Sequence, residues 1–375
     1  MAAQGSILGN AVLRLEDPNL LKGAEHYTDD MPVEGVGYIH FVRSPYAHAT
    51  IDSVDTSEAA GMAGVTAVYT VDNMEIADFQ GFPMFDPVFN RPVLARGKVR
   101  YVGDIVAAVV ADSREAAVDA AEAVVIDYTP LPVVTDIVEA TSDSAPVLFD
   151  DHGSNLVFES VHPPEGGGDD PLAGADHVAH CRMVSQRLAG VPMEPNGCIA
   201  IPDGDSVEVW ISSQNPIAVR DAIVGQLGLD PEKLRVAAPA VGGGFGPKAG
   251  PYTEHFITIK AAQMLGRPVK WAEERSENMV SMVHGRAMVL DAKLGLTSEG
   301  KIVGIDCDVI ADCGAYPAIG GVLPTLTQMM IQGVYDIPNI RYHSASVATN
   351  TTPTAAYRGA GRPEATQILE RVIDV

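Results

Sequence analysis

A cluster of glycines around one phenylalanine is the feature that most constrains the fold of this chain. The stretch VAAPAVGGGFGPKAGPY covers residues 236–252, with strand-forming residues before it and a predicted helix from about 253 to 265 after it. Three adjacent glycines cost backbone entropy at each position, so a simple turn explains them poorly. We interpret the loop as a place where the backbone closely approaches a ligand, between a strand and a helix.

Two common phosphate-binding motifs do not fit this loop. A Walker A loop has a glycine directly before its lysine and Ser or Thr after it, whereas Pro247 precedes Lys248 here and Ala249 follows. A Rossmann fingerprint needs its third glycine where Pro247 stands. A stand-alone nucleotide-dependent dehydrogenase is therefore the weaker alternative, which titration with NAD would test.

The charge of the chain limits the classes of partner that it can bind. The formal net charge is −24, and such a surface repels nucleic acid and anionic membranes. No apolar run is long enough for a membrane span, and the first residues lack the basic and apolar regions of a secretory signal. These features predict a cytoplasmic protein without nucleic-acid partners, in which an anionic ligand would need local positive groups and N–H donors.

The four cysteines predict neither a metal site nor a disulfide framework. They are spread along the chain without CxxC pairs, and no Cys/His cluster has zinc spacing. We expect buried, reduced thiols at Cys181, Cys198, Cys307 and Cys313.

The order of predicted elements divides the chain into two regions. Residues 14–140 read as an α/β unit, in which Asp112 is the expected cap of a helix. The stretch 141–175 is rich in Pro, Gly, Asp and Ser and is typical of a linker. In the larger region 176–375, the alternation on both sides of TSEGK predicts a β-hairpin. The final helix has an apolar stripe but no C-cap, so we expect the fold to continue on another chain or a missing segment; the stripe is Ala365, Ile368, Leu369, Val372 and Ile373.

The segment VGGGFGPK resembles the Gly-Gly-Gly-Phe-Gly segment of the molybdopterin-binding large subunits of molybdenum hydroxylases, the family of xanthine dehydrogenase, aldehyde oxidase and carbon monoxide dehydrogenase. Six more segments follow the order of that family: RSPYAHATI, VRYVGDIVAAVVADSREAA, MEPNGCIA, SSQNPIAVR, LGRPVKW and TPTAAYRGAGRPEA. The resemblance implies an α+β fold. Residues 14–140 would be an α/β hammerhead domain, and 176–375 an incomplete first molybdopterin-binding domain.

The same resemblance implies a cofactor, partners and a reaction. The cofactor would be molybdenum–molybdopterin in its cytosine dinucleotide form, shared with the C-terminal half of the large subunit. FAD would lie on a medium subunit and a 2Fe–2S cluster on a small subunit. The reaction would hydroxylate a small molecule with water as the oxygen source, and the isolated chain would be inactive because the general base lies in the other half. The alternative is a non-catalytic remnant or binding module.

Particular residues match the functional positions of the family. Gln214 matches a glutamine whose amide donates to an oxo ligand, and Arg358 in AYRGAGR matches an arginine beside the cofactor, with Arg362 as a possible assistant. Without the resemblance, Gln214 would read as a polar neighbour of a helix cap and Arg358 as a surface residue. Glu194 is assigned a structural role. The loop residues expected to approach the metal centre are Gly243, Gly244, Phe245 and Gly246.

Departures from the family pattern indicate the substrate. Purine-oxidising relatives have a glutamate where Ala249 stands, and GGVLPTLTQMM offers no arginine to orient a purine. We therefore expect an aldehyde or an aromatic N-heterocycle rather than xanthine. CO-oxidising relatives bind copper through a cysteine where this chain has Gly359.

Overall fold

A computed structural model describes residues 8–164 and 170–375 of the chain. Residues 165–169, inside the predicted linker, and residues 1–7, at the start used for the secretory-signal prediction, lie outside the described ranges. In the described part there are eight α-helices: α1 (Asp17–Lys22), α2 (Ser57–Gly61), α3 (Arg114–Glu122), α4 (Pro216–Leu227), α5 (Thr253–Leu265), α6 (Arg275–Ser281), α7 (Leu323–Gln328) and α8 (Arg362–Asp374).

The strands of the described part, in chain order, are β1 (Gly37–Arg43), β2 (Ala49–Asp55), β3 (Val65–Tyr69), β4 (Lys98–Val99), β5 (Ile105–Ala111), β6 (Val125–Pro130), β7 (Leu156–His162), β8 (His177–Ser185), β9 (Leu188–Ala189), β10 (Gly197–Asp203), β11 (Ser206–Ile211), β12 (Leu234–Ala237), β13 (Val269–Ala272), β14 (His284–Gly285), β15 (Met288–Leu296), β16 (Ile302–Gly314) and β17 (Ile340–Ala348).

Two large sheets organise the chain. A seven-stranded sheet has the order β12-β11-β10-β13-β1-β5-β3, and a five-stranded sheet has the order β7-β17-β16-β15-β8. In the first sheet β1 pairs in parallel with β13, Gly37 opposite Val269, so strands from both predicted regions share one sheet. Helices α4 and α5 pack against this sheet and α8 packs against β8 and β15. The mixture of sheets and helices confirms the α+β prediction.

Local signals predicted several element ends correctly. Helix α4 begins after Asn215, whose side chain accepts the N–H of Ala218, and it ends at Gly228 in the left-handed conformation. β15 and β16 form the predicted antiparallel hairpin. The cap of α3 was predicted wrongly: Ser113, and not Asp112, accepts the N–H of Ala116. The Asp112 carboxylate is instead paired with the guanidinium of Arg267.

The structure corrects the linker interpretation for part of residues 141–175. Leu156–His162 form β7, an edge strand of the five-stranded sheet that pairs with β17. Phe158 of this strand packs near Phe85, with ring centroids 6.2 Å apart. The flanking Pro, Gly and Asp residues had concealed this short apolar run.

The apolar stripe of α8 is covered mostly by its own chain. Ala365, Ile368, Leu369 and Val372 are buried, whereas Ile373 is 37% exposed. Because the helix packs on β8 and β15, the stripe is not a sign of a missing partner. The stripe is explained within this chain, so it is evidence neither for nor against a fold that continues on another segment.

Candidate functional site

The glycine loop lies between β12 and α5 and has an unusual backbone. Phe245 has φ of 54° and Gly246 has φ of 105°. The left-handed region is uncommon for a residue other than glycine, and such outliers concentrate at functional sites. The carbonyl of Phe245 accepts the N–H of Arg358 at 2.8 Å, which fixes this conformation from outside the loop.

Two of the glycines are required by close approach of other groups. A Cβ on Gly244 would lie 2.5 Å from Oε1 of Gln214, and a Cβ on Gly246 would lie 2.3 Å from the carbonyl oxygen of Ala356. Real Cβ atoms do not approach oxygen so closely. The loop therefore fits against both Gln214 and the segment before Arg358 only because Gly244 and Gly246 have no side chains.

Gln214 stands immediately beside this loop. Its Oε1 accepts the N–H of Gly246 at 2.8 Å, and its own N–H donates to the carbonyl of Lys248 at 3.1 Å. The side chain is exposed, and Nε2 has no acceptor among the residues that the structure describes. The amide is thus oriented by its oxygen and keeps its NH₂ group for a ligand.

Three consecutive backbone donors of the loop are also unused. The N–H groups of Gly243, Gly244 and Phe245 have no hydrogen-bond acceptor within the described ranges. Successive unpaired N–H groups in such a conformation bind anions or oxyanionic ligands. The loop therefore offers fixed dipoles that need no reorganisation when a ligand binds.

Arg358 adds a positive charge next to these donors. Its guanidinium lies 5.9 Å from the ring centroid of Phe245, and it forms no salt bridge with the described carboxylates. Arg362 behaves differently, because its Nη1 donates to the carbonyl of Gly359 at 3.0 Å. In a chain of net charge −24, an exposed and unpaired arginine beside free N–H groups suits an anionic ligand.

A buried arginine that the sequence did not reveal holds the Arg358 segment in place. Arg286 donates to the carbonyl of Tyr357 at 3.1 Å and to that of Arg358 at 2.7 Å, and it pairs with Glu364 at 3.2 Å. Nothing in the surrounding HGRAM distinguishes it from a surface arginine. Its partners are distant in sequence, so no local pattern could have identified it.

Lys248, considered above only as a departure from the Walker motif, is also buried. Its ammonium group is 3.0 Å from Oε2 of Glu194, whose side chain is mostly buried. Burial lowers the pKa of Lys248, and the carboxylate of Glu194 opposes this effect. Oε1 of Glu194 is buried and has no partner among the described residues.

A cavity of about 270 Å³ adjoins the loop at Gly246. Ala249 and Tyr252 lie on its wall, together with the apolar residues Val283 and Ile319, and no charged side chain lines it. The hydroxyl of Tyr252 is occupied, because it donates to the carbonyl of Pro247. A larger cavity, of about 570 Å³, lies elsewhere and contains none of the predicted site residues.

The cysteines form no hydrogen bond with the glycine loop, Gln214 or Arg358 among the described residues. Cys198, Cys307 and Cys313 are buried free thiols as predicted, whereas the prediction of burial was wrong for Cys181, which is half-buried. Burial raises the pKa of the three buried thiols, so the thiolate form is disfavoured. Within the described ranges, no three or more His, Cys, Asp or Glu side chains are grouped to hold a metal ion.

None of the helices that the structure describes combines the length and apolar content needed to cross a bilayer.

Comparison with known families identifies the family of this chain. Residues 148–375 match the molybdopterin cofactor-binding domain, and residues 22–132 match the a/b hammerhead domain of aldehyde oxidase and xanthine dehydrogenase. The chain belongs to the molybdenum hydroxylase family. The glycine loop of this molybdenum hydroxylase chain, with its free N–H groups, Gln214 and Arg358, fits an oxygen-rich anionic cofactor such as molybdenum–molybdopterin.

Relatives place the molybdenum hydroxylase chain within that family. It is 35% identical to subunit gamma of the 6-hydroxypseudooxynicotine dehydrogenase complex of Paenarthrobacter nicotinovorans, over 98% of this chain and 47% of that protein. It is similar to reconstituted CO dehydrogenase from Oligotropha carboxidovorans, with a TM-score of 0.91 and 33% identity over 98% of this chain and 48% of that one. The chain thus spans about half the length of these two relatives.

A third relative has a different length. The chain is 27% identical to the large molybdopterin subunit of nicotinate dehydrogenase from Eubacterium barkeri, covering 97% of this chain and 84% of that subunit. A molybdopterin subunit of nearly this length therefore occurs in a related protein.

Proposed function

We propose that this chain is the N-terminal half of the cofactor-binding large subunit of a molybdenum hydroxylase, and that a C-terminal half on another segment or chain completes the site. The observation that carries the proposal is the convergence of free backbone N–H groups, the Gln214 amide and the Arg358 guanidinium at one loop. The length of the Eubacterium barkeri subunit supports a naturally divided large subunit.

The residues of this chain would bind and orient the cofactor. When bound, molybdenum–molybdopterin supplies the oxidation that introduces a water-derived oxygen at an electrophilic carbon of the substrate. Nε2 of Gln214 would donate to an oxygen ligand of the metal without adding a charge or a titrating proton. The N–H groups of Gly243, Gly244 and Phe245 would hold oxyanionic ligands, and Arg358 would neutralise a phosphate or a reacting oxygen.

The substrate we propose is an aldehyde or an aromatic N-heterocycle. The cavity beside Gly246 has apolar walls without charged side chains, which supports a neutral, compact substrate. Ala249 lies on the wall of that cavity, so a carboxylate is missing there to bind the polar edge of a purine. The name of the Eubacterium barkeri relative, nicotinate dehydrogenase, fits the second of these two classes.

The remaining proposals follow the family. The cofactor would have its cytosine dinucleotide form, and electrons would leave through 2Fe–2S clusters and FAD on a small and a medium partner subunit. The complex would be cytoplasmic. The chain would consist of a hammerhead domain over residues 14–140 and a molybdopterin-binding domain over 176–375.

Co-expression of the chain with a candidate C-terminal half would test this function. We expect about one molybdenum and one cytidine monophosphate per assembled pair, measured by metal analysis and by nucleotide release in acid, and dye reduction with an aldehyde or with quinoline. Each chain alone should be inactive, because loss of a general base costs roughly 10²–10⁴-fold. A stable pair without molybdenum would favour a binding module, and robust turnover by this chain alone would refute the proposal.

A further inference from the structure

A fully buried lysine lies under the glycine loop. The side chain of Lys248 is 0% exposed, and its ammonium group donates to the carbonyl of Glu194 at 2.7 Å, to Oε2 of Glu194 at 3.0 Å and to the hydroxyl of Ser212 at 2.6 Å. All three protons of the ammonium group therefore have acceptors. Such complete pairing fixes the side chain in one position.

Glu194 connects this lysine to the start of the loop. Its Oε2 accepts the N–H of Gly242 at 2.7 Å and the hydroxyl of Ser212 at 2.7 Å. Its own N–H donates to the carbonyl of Gly242 at 3.1 Å, so the two residues are joined in both directions. A Cβ on Gly242 would lie 2.4 Å from Cβ of Glu194, so the loop packs this closely against Glu194 only because residue 242 is a glycine.

The backbone of Lys248 connects the same pair to Gln214. Its carbonyl accepts the N–H of Gln214 at 3.1 Å and the hydroxyl of Ser213 at 3.1 Å. Because Oε1 of Gln214 accepts the N–H of Gly246, a closed ring of hydrogen bonds runs from Gly242 through the ion pair to Gln214 and back to the loop.

We propose that Lys248 and Glu194 are positioning residues, whose buried ion pair holds the glycine loop and Gln214 in register with each other. Stability alone is a poor reason for such a pair, because well-packed apolar residues often serve a fold equally well or better. What apolar residues cannot do is bind the N–H of Gly242 and the hydroxyl of Ser212. The relative position of the loop and Gln214 is independent of the proposed function. The statement that this position serves a molybdenum cofactor rests on that function.

Hydrogen exchange of the 375-residue chain, followed by mass spectrometry, would test the positioning role. In Lys248→Met, the amides of Gly242 and Gly246, followed within a longer peptide that covers residues 242–248, should exchange about 10-fold faster or more than in the wild type, because the hydrogen bonds that protect these two amides depend on the ion pair. The matched control is Lys270→Met. Lys270 is also buried and pairs with Asp29 at 3.1 Å, but it lies on β13, and within the described ranges its side chain forms no hydrogen bond or ion pair with residues 242–248. In this control the same peptide should exchange within about twofold of the wild type.

A double variant keeps the proposal testable if Lys248→Met does not fold. Glu194→Leu with Lys248→Met leaves neither an unpaired buried charge nor a side-chain acceptor for the N–H of Gly242, so the melting temperature should recover while exchange at Gly242 and Gly246 stays fast. Wild-type exchange at the loop in the double variant would overturn the proposal, as would equal acceleration in Lys248→Met and Lys270→Met. If the assembled wild-type protein binds no molybdenum, the proposed function fails while the exchange comparison still decides the positioning role.

Discussion

The carbonyl of Phe245 accepts the backbone N–H of Arg358 at 2.8 Å, and this bond joins two loops that are far apart in the sequence. It uses main-chain atoms only, so substitution of the arginine side chain leaves it in place. The charge of Arg358 and the conformation of the loop can therefore be changed independently by substitutions at Arg358 and in the loop.

Gly246→Ala should displace the loop from the Arg358 segment. Gly246 has φ of 105° and ψ of −48°, a conformation that costs about 1–3 kcal/mol for a residue with a side chain, and a Cβ would also meet the carbonyl of Ala356 at 2.3 Å. We expect a loss of unfolding free energy, measured with urea, that exceeds the φ cost alone. Gly300→Ala is the control, because Gly300 has φ of 80° with nothing within 4 Å of a Cβ. Equal losses in the two variants would show that the close approach does not matter.

Gln214→Glu should remove the hydrogen-bond donor of this side chain while keeping its acceptor. The carboxylate still accepts the N–H of Gly246, so the loop should keep its conformation, but the NH₂ donor is lost. With the C-terminal half present, we expect kcat to fall by roughly 10²–10³-fold, as for loss of one preorganised donor. Circular dichroism and molybdenum content would report the fold and the loading. Unchanged kcat at full molybdenum content would disprove the role of Gln214.

Arg358→Ala should weaken retention of the cofactor. The guanidinium is exposed and unpaired among the described carboxylates, so its removal should leave the thermal stability unchanged while it removes a charge-assisted contact to the ligand. We expect molybdenum retention after dialysis, or kcat/KM, to fall about 10-fold or more. Arg362→Ala provides the comparison, since that guanidinium is bound to Gly359. If both substitutions lowered molybdenum retention equally, the effect would come from the loss of one positive charge and not from the position of Arg358.

The chain should lose stability as the pH falls from about 6.5 towards 4. Burial lowers the pKa of His255 to about 4, and its Nε2 has no partner among the described residues. The unfolded state therefore binds a proton that the folded state excludes between these pH values, so stability is fully present above 6.5. His255 alone contributes a loss of about 2 kcal/mol at pH 5 relative to pH 7.5, and His284, whose pKa burial also lowers to about 4, adds to it. Urea titrations at the two pH values would measure it, and His255→Gln should reduce the difference.

The assembled enzyme should contain molybdenum without stoichiometric copper and should not oxidise CO. Soft thiolate ligands select Cu(I), whereas Gly359 has no ligand atom beside Arg358. Cys313, the cysteine closest in sequence, is buried, and burial raises its pKa. Metal analysis and a CO-dependent dye-reduction assay would check this. One copper per molybdenum together with CO turnover would contradict it.

Sequence patterns predicted the local elements well and the long-range contacts poorly. The ends of α4 and the β15–β16 hairpin follow from Asn215, Gly228 and TSEGK, because caps and turns are local. The assignments of Gln214 and Arg358 depended on resemblance rather than on spacing, and their roles stay predictions although both lie at the loop. Arg286 and the Lys248–Glu194 pair were missed, because burial of a charge is decided by partners that lie far away in the chain.

The parallel pairing of Gly37 with Val269 has a consequence for how the chain is made. About 230 residues separate these partners, and a ribosome needs roughly 10–50 s to synthesise them at typical rates. During that time β1 pairs only with β5. Its other edge has unpaired N–H and C=O groups, with which a strand of another chain can pair. Nascent chains stalled before β13 should therefore bind chaperones or aggregate. For the same reason, a chimera that carries the N-terminal region of this chain in another relative should fold only if β10 to β13 are moved with it.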